Sequence, residues 1–230
     1  SPWANQQMSG LCAKTRIRSW RLAPPLIAGL LALLVAGPLV AAELVPHRAA
    51  YSMKTGMVRP GGAVVNVSGL MTMAVEETCD GWILAIRRAM EIVTADGGKI
   101  TENMHYAGWE SKNGDRLRFA SRVHTGAERR DYNGEARLQG SDGSGEAAFK
   151  LPDAKTIKLP KGTLFPLAHT ALLIDQARAG ARQVARHIFD GTEIEGAQEA
   201  VAFIGPRRDG AGSGLARRPG WNMRLAVYGT

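Results

Sequence analysis

Leu159-Pro160-Lys161-Gly162-Thr163-Leu164-Phe165-Pro166-Leu167-Ala168-His169-Thr170 opens the one convincing amphipathic helix beyond the first forty-odd residues of this chain. Pro166 suits a first helical position, where a missing N–H costs nothing and the fixed φ already matches the helix. Leu167, Ala171, Ile174 and Ala177 recur at helical spacing, and Phe165, Ala168, Leu172 and Leu173 widen the stripe. Asp175, Gln176, Arg178 and Arg182 are expected to face water, and Gly180 supplies the left-handed residue that ends a helix. The spacing therefore predicts a single helix lying on a sheet, with Phe165, Leu167, Ala171, Leu172 and Ile174 as its cover.

Working outward, nearly everything else reads as strands and turns. Val65, Val67, Gly69, Met71, Met73 and Val75 alternate with Asn66, Ser68, Leu70, Thr72 and Ala74, the period of a half-buried strand. Strands are expected over residues 44–53, 65–75, 82–94, 99–110, 116–125 and 154–159, then over 182–189 and 199–204. Pro60-Gly61-Gly62, Thr78-Cys79-Asp80-Gly81, Ala95-Asp96-Gly97-Gly98, Asn113-Gly114 and Ser141-Asp142-Gly143 punctuate them, and Asn133-Gly134 has the composition of a two-residue hairpin turn. Hairpin-type turns between successive strands predict a mainly β fold, a long antiparallel meander. Such a meander must curl, close or be covered, and the helix is the available cover.

The two ends differ from this body. Lys14, Arg16, Arg18 and Arg21 precede an apolar run, and Val40-Ala41-Ala42 closes it with small residues, the pattern of a Sec-type signal cleaved after about Ala42. Met8 is the expected start, and Ser1 to Gln7 read as upstream translation or an added remnant. A spanning anchor is disfavoured because Pro24-Pro25 and Pro38 interrupt the apolar run. The mature chain is expected in the periplasm, peripheral to the membrane rather than spanning it. Residues 206–230 begin rich in Arg, Gly, Ala and Pro, with no alternation through Gly220, and are expected to be a disordered, aberrant tail, as from a reading-frame slip. Residues 43–205 then form one β domain lacking its last strands.

Composition excludes several functions. The formal charge of +8 comes from 29 basic and 21 acidic residues. The signal and the tail hold that excess, and the body between them carries 20 of each. A neutral body gives no electrostatic case for nucleic acid. His47, His105, His124, His169 and His187 are scattered without metal-ligand spacing, so no metal site is expected. No Gly-x-Ser-x-Gly elbow exists, and Glu76, Glu77 and Asp80 read as a solvated strand end rather than an acid–base pair. No catalytic residue and no cofactor are expected. Tyr106, Trp82, Trp109, Phe119 and Phe165 are expected to fill the inner face. Met53, Met57, Met71, Met73, Met90 and Met104 suit either an adaptable binding surface or gap filling.

Pro46-His47-Arg48 with Tyr51, Gly81-Trp82, Gly162-Thr163 with Pro166 and His169, and Asp190-Gly191 together resemble the EipB-type family of periplasmic cell-envelope-integrity proteins of alphaproteobacteria. The resemblance runs from Leu44 to about Gly205. It implies one long antiparallel sheet curled into a spiral or broken barrel around a helix. It implies a role in maintaining the envelope and, from some members, a genetic link to a tetratricopeptide-repeat protein. It supplies no catalytic residue. Family members bond the cysteine matching Cys79 to one near the C-terminus; no cysteine stands there in this chain, so the partner of Cys79 is expected to be absent. Two functions are expected from this reading. One is a non-enzymatic protein supporting envelope integrity by protein–protein contact, and the other is a carrier or sensor of a lipid or similar amphipathic envelope molecule.

Overall fold

The computed structural model describes residues 43–56, 58, 61–139, 142–210 and 214–229. The signal read over residues 1–42 lies outside them, as does Met57. Eight strands follow one another as a meander: β1 (His47–Lys54), β2 (Val64–Glu77), β3 (Gly81–Thr94), β4 (Lys99–Ser111), β5 (Arg116–Thr125), β6 (Glu128–Leu138), β7 (Gly145–Leu151) and β8 (Lys155–Leu159). They pair in sequence order, every pair antiparallel, so β1 and β8 remain edges and the sheet does not close into a barrel. The chain then runs through the short β9 (Thr163–Leu164), helix α1 (Pro166–Arg178), β10 (Gln183–Ile188), β11 (Gln198–Arg208), a 3₁₀ turn (Gly214–Arg217) and β12 (Gly220–Tyr228). β12, β11, β10 and β9 make a second sheet in that order, antiparallel except for the β9–β10 pair.

Helix α1 begins and ends where its residues dictate. Pro166 occupies the first helical position, and the N–H of His169 closes the first intrahelical bond to the Phe165 carbonyl at 2.9 Å. Gly180 follows the cap with φ +84°, which a side chain rarely adopts. The helix joins two cores. Phe165 and Leu167 enter the larger one, with Val75, Leu84, Tyr106, Leu117, Phe119, Phe149 and Phe189. Leu173 and Ala177 enter the smaller one, with Val184, Ala202 and Ile204 of the second sheet. The buried helical positions are Leu167, His169, Leu173 and Ala177, while Ala171, Leu172 and Ile174 are half-buried.

Three expectations are corrected. Residues 206–230 are not a structureless tail among the described residues: β11 runs to Arg208 and β12 pairs with it from Glu199↔Tyr228 to Arg208↔Gly220. The Arg/Gly/Ala/Pro composition ends at Gly220. Beyond it Trp221, Met223, Leu225 and Val227 alternate with Asn222, Arg224 and Ala226, which is strand periodicity. Pro206 fits because the β11–β12 register shifts between Ile204 and Arg207, the sort of irregularity that tolerates a missing donor. Asn133-Gly134 is not a turn but the middle of β6; the chain reverses at Gly126, φ +59°. A Cβ on Gly134 would lie 2.3 Å from the Ala148 carbonyl and 2.8 Å from the Phe119 ring, so this glycine serves a close approach. Finally, Cys79 is disulfide-bonded rather than left without a partner, against the expectation.

Candidate functional site

Phe165 has no side chain able to cap a helix, and Pro166 leaves the N–H groups of the next two residues without a local acceptor. The acceptor comes from 57 residues earlier. Glu110, at the end of β4, takes the N–H of Leu167 on Oε2 at 2.8 Å and that of Ala168 on Oε1 at 2.7 Å. Strand alternation places Glu110 on the inner face with Tyr106 and Gly108, and it is 3% exposed. Burial raises its pKa to about 7, although both backbone N–H groups favour the carboxylate. Nearby, burial and then the carboxylates of Asp190 and Glu110 push the Tyr106 phenol well above its usual range. His169, also buried, has no partner at Nε2, and burial, with a smaller contribution from Arg186, lowers its pKa to about 4.

The motif residues divide between this junction and the surrounding frame. Gly191, φ +76°, lies flat on Phe119: a Cβ there would sit 2.2 Å from the ring. Phe119 in turn meets Phe149 and Phe189 edge-on, with centroids 5.1 and 5.6 Å away. Asp190 accepts from the N–H and hydroxyl of Thr192, shaping that bend. Thr163 is fully buried and donates to the Pro160 carbonyl at 2.7 Å, and the Gly162 N–H donates to the Asp142 carbonyl. Gly81 is buried where a Cβ would strike the Glu110 carbonyl and the Trp109 ring. Trp82 carries Lys112 over its ring at 4.5 Å. Pro46 is exposed, His47 bonds the Val45 carbonyl, Arg48 pairs with Glu76 at the surface, and Tyr51 stands 42% exposed on edge strand β1. Phe165, Phe189 and Gly191 thus converge on the aromatic core, whereas Pro46, Arg48 and Tyr51 lie on or beside edge strand β1.

Sequence reasoning overlooked Glu110 and a second group of inner-face residues: Arg88, Glu102, Ser121 and Thr125. A signal existed. Glu102, Met104, Tyr106, Gly108 and Glu110 share one face of β4, and a carboxylate at either end of an apolar row needs a partner. Glu102 finds Arg88 at 2.6 Å; Glu110 finds the helix. Among the described residues no three or more His, Cys, Asp or Glu side chains gather as a metal would require. An open depression of about 390 Å³, lined by Lys161, Arg186, His187 and Glu199 among others, lies on exposed side chains of the second sheet.

An open meander, with the start of a helix seated upon a strand carboxylate, defines a β-rich domain whose large sheet keeps two free edges. The chain belongs to the EipB-like family, whose match covers residues 38–229 and so extends across the segment set apart by its composition. A similar protein is the cell envelope integrity protein EipB of Brucella abortus (strain 2308), 26% identical over 155 residues. That alignment takes in 66% of this chain and 54% of the relative, so the chain spans about half the relative's length. The crystal structure of a beta-barrel-like protein of a domain of unknown function, from Brucella abortus, is similar in fold. Its TM-score is 0.71 at 22% identity, over 82% of this chain and 80% of that one.

Proposed function

We propose that this chain is a non-enzymatic periplasmic protein that supports envelope integrity by contact with another envelope protein. The name of its relative supports the envelope role. Export by the Sec route, with cleavage after about Ala42, leaves it peripheral to the membrane; among the described residues no helix is long and apolar enough to span one. The observation that carries protein contact is strand β12. It is an edge, and Met223, Leu225 and Val227 stand 41%, 52% and 50% exposed. They continue a row whose other members, Ile204, Ala202 and Ala200, are buried. An edge strand with an uncovered apolar row invites an added strand or a packed helix. A tetratricopeptide-repeat protein would cover it with a helix, and an extended segment would pair with its free backbone groups.

A photo-crosslinking residue at Leu225, in cells, tests this. The reading requires a discrete envelope-protein adduct that is lost when the crosslinker is moved to exposed Glu146 on β7. Equal adducts at both places, or none, refute it. A second reading, carriage of an amphipathic envelope molecule, is favoured by one observation: unpartnered buried polar atoms beside methionines on the inner face of the large sheet.

A further inference from the structure

Five buried side-chain polar atoms among the described residues lack a hydrogen-bond partner: Arg88 Nε, Tyr106 OH, Ser121 Oγ, Thr125 Oγ1 and His169 Nε2. The first four share one face of three adjacent strands, because the register sets Tyr106 opposite Ser121, Arg88 opposite Met104, and Glu102 opposite Thr125. Tyr106 and Ser121 are 5% and 4% exposed. A buried polar group without a partner costs about 1–3 kcal/mol, and the gathering of four such atoms on one face, with Arg88 and Thr125 themselves only partly buried, leaves donors that a ligand can meet.

Three rows cross the sheet at this place. They read Ala49–Met73–Ile86–Tyr106–Ser121, Tyr51–Met71–Arg88–Met104–Val123 and Met53–Gly69–Met90–Glu102–Thr125, from β1 to β5. Each is apolar across β1 and β2, and the polar atoms gather on β3, β4 and β5. Met53, Met71, Met90 and Met104 are half-buried rather than packed out. The Tyr106 hydroxyl leans over Gly108, toward Glu110, and so closes the floor. Arg88 is already paired with Glu102 at 2.6 Å, which leaves the polar side close to neutral and sets a carboxylate against any anionic head.

We propose, resting on the carrier reading, that this face binds a single-chain acyl amphiphile with an uncharged or zwitterionic, oxygen-bearing head. The head oxygens accept from Arg88 Nε and from the hydroxyls of Ser121 and Thr125. The hydrocarbon chain crosses Met90, Met71 and Met53 toward the β1 edge. Neighbouring strands lie about 4.8 Å apart, so β3 to β1 gives the chain roughly 10 Å of methionine surface. Methionine suits the task because its flexible thioether adapts to a mobile chain. A free fatty acid is disfavoured by Glu102, and the half-buried methionines Met90, Met71 and Met53 make one path to the β1 edge, which suits a single chain.

The test uses the full chain, with 1-oleoyl-lysophosphatidylethanolamine and 1-oleoylglycerol as probes and oleate as comparator, read by isothermal titration. The first two bind saturably and oleate binds more weakly. Ser121→Ala with Thr125→Val weakens both by about tenfold or more, the loss of two hydrogen bonds. The same double variant keeps or raises its thermal midpoint without ligand, because it removes unpartnered buried hydroxyls, so lost binding is not lost folding. Met53→Glu, on the edge strand, weakens binding independently through the chain's end. If the probes bind and both variants keep full affinity, this site is wrong while the carrier reading survives. If they do not bind although envelope lipids co-purify with the chain, the assigned ligand class is wrong. If neither binding nor co-purification is found, the carrier reading falls with it.

Discussion

Replacing Glu110 by alanine should unseat the helix that links the two cores. Two N–H groups, the buried one of Leu167 and the partly buried one of Ala168, lose a charged acceptor at 2.8 and 2.7 Å. Hydrogen bonds to a charged group contribute about 1.5–3 kcal/mol each. The charged carboxylate also carries a burial cost, which its removal relieves, so a net loss of about 3 kcal/mol is expected from Glu110→Ala. That is a large part of a domain's total of roughly 5–15 kcal/mol and lowers Tm by about 6–12 °C. Urea unfolding at pH 7 measures it, with Glu146→Ala as a surface control. Glu110→Gln, which keeps one acceptor, should lose less. The sign with pH follows from the pKa. Glu110 is raised from 4.5 to about 7 in the fold, so the folded state binds the extra proton. This contribution is full below about pH 4.5 and is lost as pH rises through 7, amounting to about 3 kcal/mol at most. The difference in stability between wild type and Glu110→Gln should therefore shift against wild type from pH 5 to pH 8. A loss below 1 kcal/mol in Glu110→Ala, or a pH-independent difference from Glu110→Gln, refutes the argument.

Gly191→Ala combines a left-handed backbone with a Cβ driven into the Phe119 ring, and should cost about 2–4 kcal/mol in urea unfolding. His169→Leu should relieve acid sensitivity. Its imidazole is held neutral down to about pH 4 from an ordinary 6.5, so the wild type loses stability as pH falls through that window, and the leucine variant does not, as acid titration of the circular dichroism signal would show. Amides of β12 that pair with β11 should be protected from hydrogen exchange in the full chain, with the Leu225 region slower than the 3₁₀ turn at Gly214–Arg217.

Local chemistry made most of the large sheet legible. Alternation in β2, turn glycines at Gly97 and Gly114, and the Pro166 to Gly180 helix all mark their own elements without reference to anything distant. What stayed hidden depends on separation. Glu110 looks like an ordinary strand residue until α1 arrives 57 residues later and needs an acceptor. Asn133-Gly134 reads as a turn because the pair often is one, and only the Phe119 ring shows why a glycine must stand there. The β12 strand was masked by the arginine- and glycine-rich segment before it, whose composition drowned a short alternation. Arg88, Ser121 and Thr125 belong to three different strands, and only the register sets them on one face.

The most direct test of the account is complementation of a strain lacking this chain with a Leu225→Lys, Val227→Lys double variant. Both side chains are already about half exposed, so the variant should fold and be exported with a stability within about 1 kcal/mol of wild type. The account predicts that this stable protein fails to restore resistance to detergent and envelope stress. Full restoration of resistance by the same variant would contradict it.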